Sequence, residues 1–217
     1  MKKLLLLSSV LMLASAVAAN ADTIYSFNIN GCSSGCNVLP AGTVDLHQNG
    51  ANDVLVTVQL TTDYSFRDAP DRNHHALVFD LSGVSGAVSA TNITSGPTSR
   101  TFSFLGAGSY NDSPFGRFPY AFDCTTCGKG ATGTPTQTLS FDLHGTGLLA
   151  SSFVSNGQTY FAVDVVGLDA AAGFGLTGNI GDPAPVDPSP VPEPSSLLLL
   201  GTGLAGAAGL LRRRLFS

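Results

Sequence analysis

Apolar and polar residues alternate along most of the chain. In Asp53–Thr62, Val54, Val56, Val58 and Leu60 fall on one side and Thr57 and Gln59 on the other. In Thr138–His144, Leu139, Phe141 and Leu143 alternate with Ser140, Asp142 and His144. Successive side chains of an extended strand point to opposite faces, so a period of two marks strands with one buried face. Similar runs occupy 24–29, 43–47, 76–81, 87–93, 100–105, 118–123, 159–166 and 174–177. Turn formers separate them: Gln48-Asn49-Gly50-Ala51-Asn52, Ser82-Gly83, Ser95-Gly96-Pro97, Lys129-Gly130 and Asn156-Gly157. Asn-Gly suits a two-residue hairpin loop because both positions accept positive φ. Between the two ends no window carries a helical stripe with a cap. Short strands with regular turn signals predict an all-β domain over 22–181, an antiparallel β-sandwich of jelly-roll type, with a barrel as the alternative.

The ends follow a different pattern. Met1-Lys2-Lys3 precedes an apolar run that closes on Ala19-Asn20-Ala21. A positive start, a short apolar stretch and a small-x-small site compose a secretory signal peptide, cut by signal peptidase after Ala21. An uncleaved anchor is the alternative. Toward the other end, six of the chain's 12 prolines lie between Pro183 and Pro194, which predicts an extended spacer over 182–190. Ser195 to Leu211 is uncharged and rich in Leu, Gly and Ala, at the short end of what crosses a bilayer as a helix. Arg212, Arg213 and Arg214 follow at once, and such a cluster stays cytoplasmic, which places the β domain outside. A buried core helix, the other reading of 195–211, would leave those arginines uncovered.

Val191-Pro192-Glu193-Pro194, then an apolar span, then an Arg cluster resembles the PEP-CTERM sorting signal of exopolysaccharide-producing Gram-negative bacteria. The resemblance covers 191–217 only. It implies that an exosortase recognises Pro192-Glu193-Pro194, removes the helix, and passes the protein from an inner-membrane-tethered intermediate to the cell surface or extracellular matrix.

Composition narrows the classes. Charged residues make up 12% of the 217, Trp is absent and hydrophobic residues reach 43%, which excludes a disordered tail, a coiled coil and a basic nucleic-acid binder. Between Asp22 and Pro194 the chain keeps five basic residues against all 15 acids. That balance disfavours nucleic acid and anionic membranes and suits solubility or divalent cations. The four cysteines form two close pairs, Cys32/Cys36 and Cys124/Cys127. Export predicts disulfides, with two local bridges as the first choice and cross-pairing as the other. A thiolate zinc site and a Cys-x-x-Cys redox motif are weaker alternatives, the latter lacking its βαβ setting.

Candidate chemistry is sparse. Asp45 and His47 share one strand face, as do Asp142 and His144, and the four could meet at a metal if their strands were neighbours; solvated strand faces are the simpler reading. Asp63, Asp68, Asp71 and Asn73 crowd one loop with Arg67, Arg72, His74 and His75, making Asp63, Asp68 and Asp71 weak calcium candidates without EF-hand spacing. No G-x-S-x-G elbow is present, and Glu193 is the only Glu, so neither an acyl-transfer site nor a glycosidase carboxylate pair is singled out. Tyr110, Asn111, Asp112, Phe115, Phe118 and Tyr120 could face a sugar or simply pack. Thr134, Thr136 and Thr138 form one T-x-T-x-T run, too little for an ice-binding array. These observations predict a surface or matrix protein without catalytic residues or cofactor, whose partners are exosortase, signal peptidase, the membrane before processing, and exopolysaccharide. A sugar- or calcium-binding module and a polysaccharide-acting enzyme are the alternatives.

Overall fold

The computed structural model describes residues 22–67, 74–127 and 134–186. The signal peptide with Ala19 and Ala21, the calcium candidates Asp68 and Asp71, and the whole of 187–217 lie outside the described residues. Within them the chain is all-β and antiparallel, and no helix is long and apolar enough to cross a membrane.

Two sheets form. The first runs β14 (Pro185–Val186), β1 (Thr23–Ser26), β3 (Gly42–Gln48), β4 (Asp53–Leu60), β10 (Thr136–Thr146), β7 (Ser85–Pro97). The second runs β2 (Ile29–Asn30), β13 (Thr177–Gly181), β12 (Phe161–Gly167), β6 (Leu77–Leu81), β9 (Gly116–Cys124), β8 (Phe102–Asp112). Two short strands join its ladder, β5 (Tyr64–Phe66) beside β12 and β11 (Phe153–Val154) beside β6.

The alternation read from the sequence places the core. Val54, Val56, Val58 and Leu60 of β4 and Leu139, Phe141 and Leu143 of β10 are all buried. Their register pairs Val56 with Phe141 and Val58 with Leu139. This inner face meets the second sheet through aromatic contacts. Phe122 of β9 lies 4.3 Å from Phe141, and Tyr25 of β1 lies 5.0 Å from Phe161 of β12. The opposite face of the first sheet is polar and bonds to itself: Thr57 to Ser140 at 3.2 Å, Thr138 to Gln59 at 2.6 Å, and His144 to Asp53 at 2.7 Å.

Three elements differ from the sequence expectation. Strand β12 is buried on both faces, because Ala162 joins Val78, Phe115, Phe118 and Ala121 in a second apolar cluster on the outer side. The run expected at 174–177 starts only at Thr177, since Gly173 (φ 86) and Gly175 (φ 73) turn the chain around Phe174. Pro185–Val186, inside the expected spacer, pairs with Ile24–Tyr25 as an edge strand, a sheet position that tolerates proline. At the other edge of that sheet, β7 carries a bulge at Asn92 (φ 52), whose amide donates to Asp142 Oδ2 at 2.6 Å. Bulges on an exposed edge interrupt the row of free backbone groups that would otherwise recruit another strand.

Removing the Phe141 ring should therefore open the contact between the sheets. Phe141→Ala is expected to cost about 3–5 kcal/mol in denaturant unfolding, whereas Leu149→Ala, at a side chain 45% exposed, should stay within about 0.5 kcal/mol.

Candidate functional site

Polar side chains gather on the outer side of the second sheet. Asp164 of β12 and Asn179 of β13 are cross-strand partners, and both are buried. The Asn179 amide donates to Asp112 Oδ1 at 2.8 Å and to the Ser113 carbonyl at 2.7 Å, with His74 Nδ1 at 3.3 Å. Asp112 Oδ1 also accepts the His75 N–H at 3.3 Å, and His75 Nδ1 lies 2.7 Å from Asp123 Oδ1. Arg67 donates its N–H to the Asp164 carbonyl and its guanidinium to Thr177 Oγ1 at 2.7 Å. This network joins the ends of β5 and β8 and the His74–His75 segment to β12 and β13. Buried polar groups cost free energy unless hydrogen-bonded, so the network fixes one arrangement of these loops.

A second buried group sits where β13 ends. Asp182 Oδ1 accepts the Phe161 N–H at 2.6 Å and lies 2.7 Å from Thr159 Oγ1, which in turn accepts the Asp182 N–H at 2.8 Å. Burial pushes its carboxyl up to about 6, against hydrogen bonds from Thr159 and Phe161 that favour the charged form. The same burial, and then the Asp182 charge, push the Tyr25 phenol up. Asp182 thus holds the last residues before β14 onto β12.

The predicted site residues are distributed as follows. Strands β3 and β10 are separated by β4, so Asp45/His47 and Asp142/His144 do not converge. His47 pairs instead with Asp22 at 2.6 Å, His144 with Asp53, and Asp142 with Asn92. Burial, and then Asp22, push Asp45 up. Among the described residues no group of three or more His, Cys, Asp or Glu could hold a metal. Asp63 accepts the Leu168 N–H through its backbone carbonyl. The aromatics of 110–120 are packing: Phe115 and Phe118 are buried in the outer cluster, Tyr120 stacks on Phe79, and the Tyr110 hydroxyl donates to the Leu105 carbonyl. Thr136 is buried, which breaks up the T-x-T-x-T run. The cysteines pair locally, Cys32–Cys36 and Cys124–Cys127.

Sequence reading missed Asp164, Asn179 and Asp182. The available signal was an Asp inside the apolar run Phe161–Val166, an Asn just before Ile180 and an Asp two residues after it.

The functional feature that remains is the relation of the chain ends. β14 pairs with β1 in the register Ile24↔Val186 and Tyr25↔Pro185. The first residues of the described domain and the last ones leave the same sheet edge. Residues 190–214, beginning soon after β14, match the PEP-CTERM protein-sorting motif. That motif implies export, processing by an exosortase and sorting to the surface. Comparison with curated proteins and with solved structures gives no match.

The Asp182 carboxyl yields a pH test. Its pKa is raised on folding, so its contribution to stability is fully present below about pH 3.8, the ordinary value, and is lost as pH rises through about 6. At roughly 1.4 kcal/mol per unit the loss approaches 3 kcal/mol. Stability curves from pH 4 to 7 should fall more steeply for the native chain than for Asp182→Asn; parallel curves would contradict the assignment.

Proposed function

We propose that the chain is a structural or adhesive protein of the cell surface or exopolysaccharide matrix, not an enzyme. Signal peptidase releases it after Ala21. The segment 195–211 holds it in the inner membrane, with Arg212–Arg214 on the cytoplasmic side, until an exosortase cuts at Pro192-Glu193-Pro194. The domain itself is a β-sandwich. The hairpins β3–β4, β8–β9 and β12–β13 each stay within one sheet, while the neighbours β4–β10, β10–β7, β12–β6 and β6–β9 are brought together by connections that cross between the sheets, a topology in keeping with Greek-key sandwiches.

The observation that carries this reading is the sorting motif at 190–214, set just beyond a terminal strand that closes onto the first. The fold supports it. The outward face of the first sheet is a ladder of Thr, Ser, Gln, Asp and His, a surface suited to hydrated surroundings. His75, Asp112 and Asp182 are hydrogen-bonded to neighbouring strands and loops of the scaffold.

The test replaces the motif and follows the protein. In the producing cells Glu193→Ala with Pro192→Ala should leave a full-length precursor in the inner-membrane fraction, while the native chain appears at the surface or in the matrix. Cells lacking the protein should yield a less cohesive matrix with unchanged polysaccharide turnover. Normal surface release of the motif variant would overturn the sorting step, and altered turnover with normal cohesion would favour the enzymatic alternative.

A further inference from the structure

The largest exposed apolar side chain among the described residues is Phe174, 67% exposed, with Leu176 beside it at 42%. Burial of aromatics is the rule in this domain, where eight of the fully buried large side chains are Phe or Tyr. The Phe174 loop, Leu168–Leu176, is also firmly built. Gly167 N–H donates to the Leu176 carbonyl at 3.0 Å, Gly175 N–H to the Gly167 carbonyl at 2.9 Å, and Leu176 N–H to the Gly173 carbonyl at 2.9 Å. Asp169 Oδ1 accepts the Ala172 N–H at 2.7 Å. The disulfide loop Cys32–Cys36 braces it from behind. Cys36 N–H donates to the Ala172 carbonyl at 2.9 Å, and a Cβ on Gly35 would lie 2.9 Å from Leu176 Cβ, so the two loops interlock. An exposed aromatic on a loop held this tightly has already lost the freedom that binding would otherwise remove.

We propose that Phe174 is a stacking platform for an uncharged sugar of the matrix polysaccharide; the proposal rests on the matrix reading above and names its ligand class. Three observations select this occupant. The first is area. A single aromatic offers about 150–250 Å², a match for the C–H face of one or two sugar rings, whereas a stable protein interface needs about 800 Å² from each partner. The second is charge. Among the described residues, Gly31–Asn37 and Leu168–Leu176 carry only Asp169, which is engaged within its own loop, and the adjacent Arg67 guanidinium is engaged with Thr177 Oγ1 at 2.7 Å, so neither loop offers a free cation of its own to an anionic lipid or an acidic polysaccharide. Ser33, Ser34 and Asn37 are exposed on the bracing loop and supply neutral hydrogen-bonding groups. The third is position. The loop lies at the Thr177 end of β13, and the chain leaves the far end of that strand through Asp182 into β14. A domain held by its C-terminal segment therefore turns Phe174 away from its attachment.

The protein recovered from its producing cells is passed over an insoluble neutral β-glucan, dextran beads, alginate beads and vesicles of phosphatidylcholine with phosphatidylglycerol. The native chain should be retained on at least one neutral glucan, Phe174→Ala should lose retention about tenfold, the size of one stacking contact, and Phe174→Tyr should keep it. Circular dichroism should be unchanged in both variants, because the side chain is exposed. Equal retention of Phe174→Ala, retention on neither neutral glucan, or Phe174-dependent binding confined to vesicles or to a second copy of the chain would overturn the proposal. Matrix fractions from the same cells separate the two claims. If native protein and Phe174→Ala both reach the matrix but bind glucan equally, the platform fails and the matrix reading stands. If native protein never reaches the matrix, that reading fails.

Discussion

The contact between the inner faces of the two sheets holds the rest of the structure in place. Val54, Val56 and Val58 on one strand and Leu139, Phe141 and Leu143 on the next present a continuous apolar surface to Phe79, Phe122, Phe161, Val163 and Val165. Burying apolar surface of this kind contributes about 25 cal/mol per Å² and is the main favourable term in folding. The outward faces are then free to be polar. The first sheet uses that freedom for a hydrogen-bonded ladder of small polar side chains. The second covers its outer side with the β8–β9 hairpin tip and a buried polar network.

The two coverings differ physically. Phe115, Phe118 and Ala121 exclude water from the outer side of β12 without specifying direction. The bonds from Asn179 to Asp112 and Ser113, and from His75 to Asp123, are directional and hold the loops in one register. Asp182 does the same for the chain end, at the cost of a carboxyl kept partly out of water. Its position between β13 and β14 links the energetics of the domain to the segment that leads into the sorting motif. Pairing of β14 with β1 gathers both ends of the described domain at one sheet edge, and the Phe174 loop lies at the opposite end of β13 from Asp182.

Much of this was legible from residue order. Alternation in β4 and β10 gave the buried faces residue by residue, because a half-buried strand has one pattern that works. The sorting motif was legible because its three parts are local in sequence. What stayed hidden depends on partners distant in the chain. Nothing near Asp164 or Asn179 announces that they face each other across β12 and β13. Whether Asp45/His47 and Asp142/His144 converge depends on β4 lying between their strands, which is topology rather than pattern. Phe174 read as a strand residue because Phe174-Gly175-Leu176-Thr177 looks alternating; the left-handed glycines on either side of Phe174 decide otherwise.

The central claim is that two processing events trim the chain to an exported β domain. Intact mass of the protein recovered from its own cells and medium, before and after reduction, tests it most directly. The account predicts a product that starts at Asp22 and ends near Pro194, and that gains about four mass units on reduction of its two disulfides. A recovered protein that still carries Arg212–Arg214 would contradict it, and would make the C-terminal segment a permanent part of the molecule.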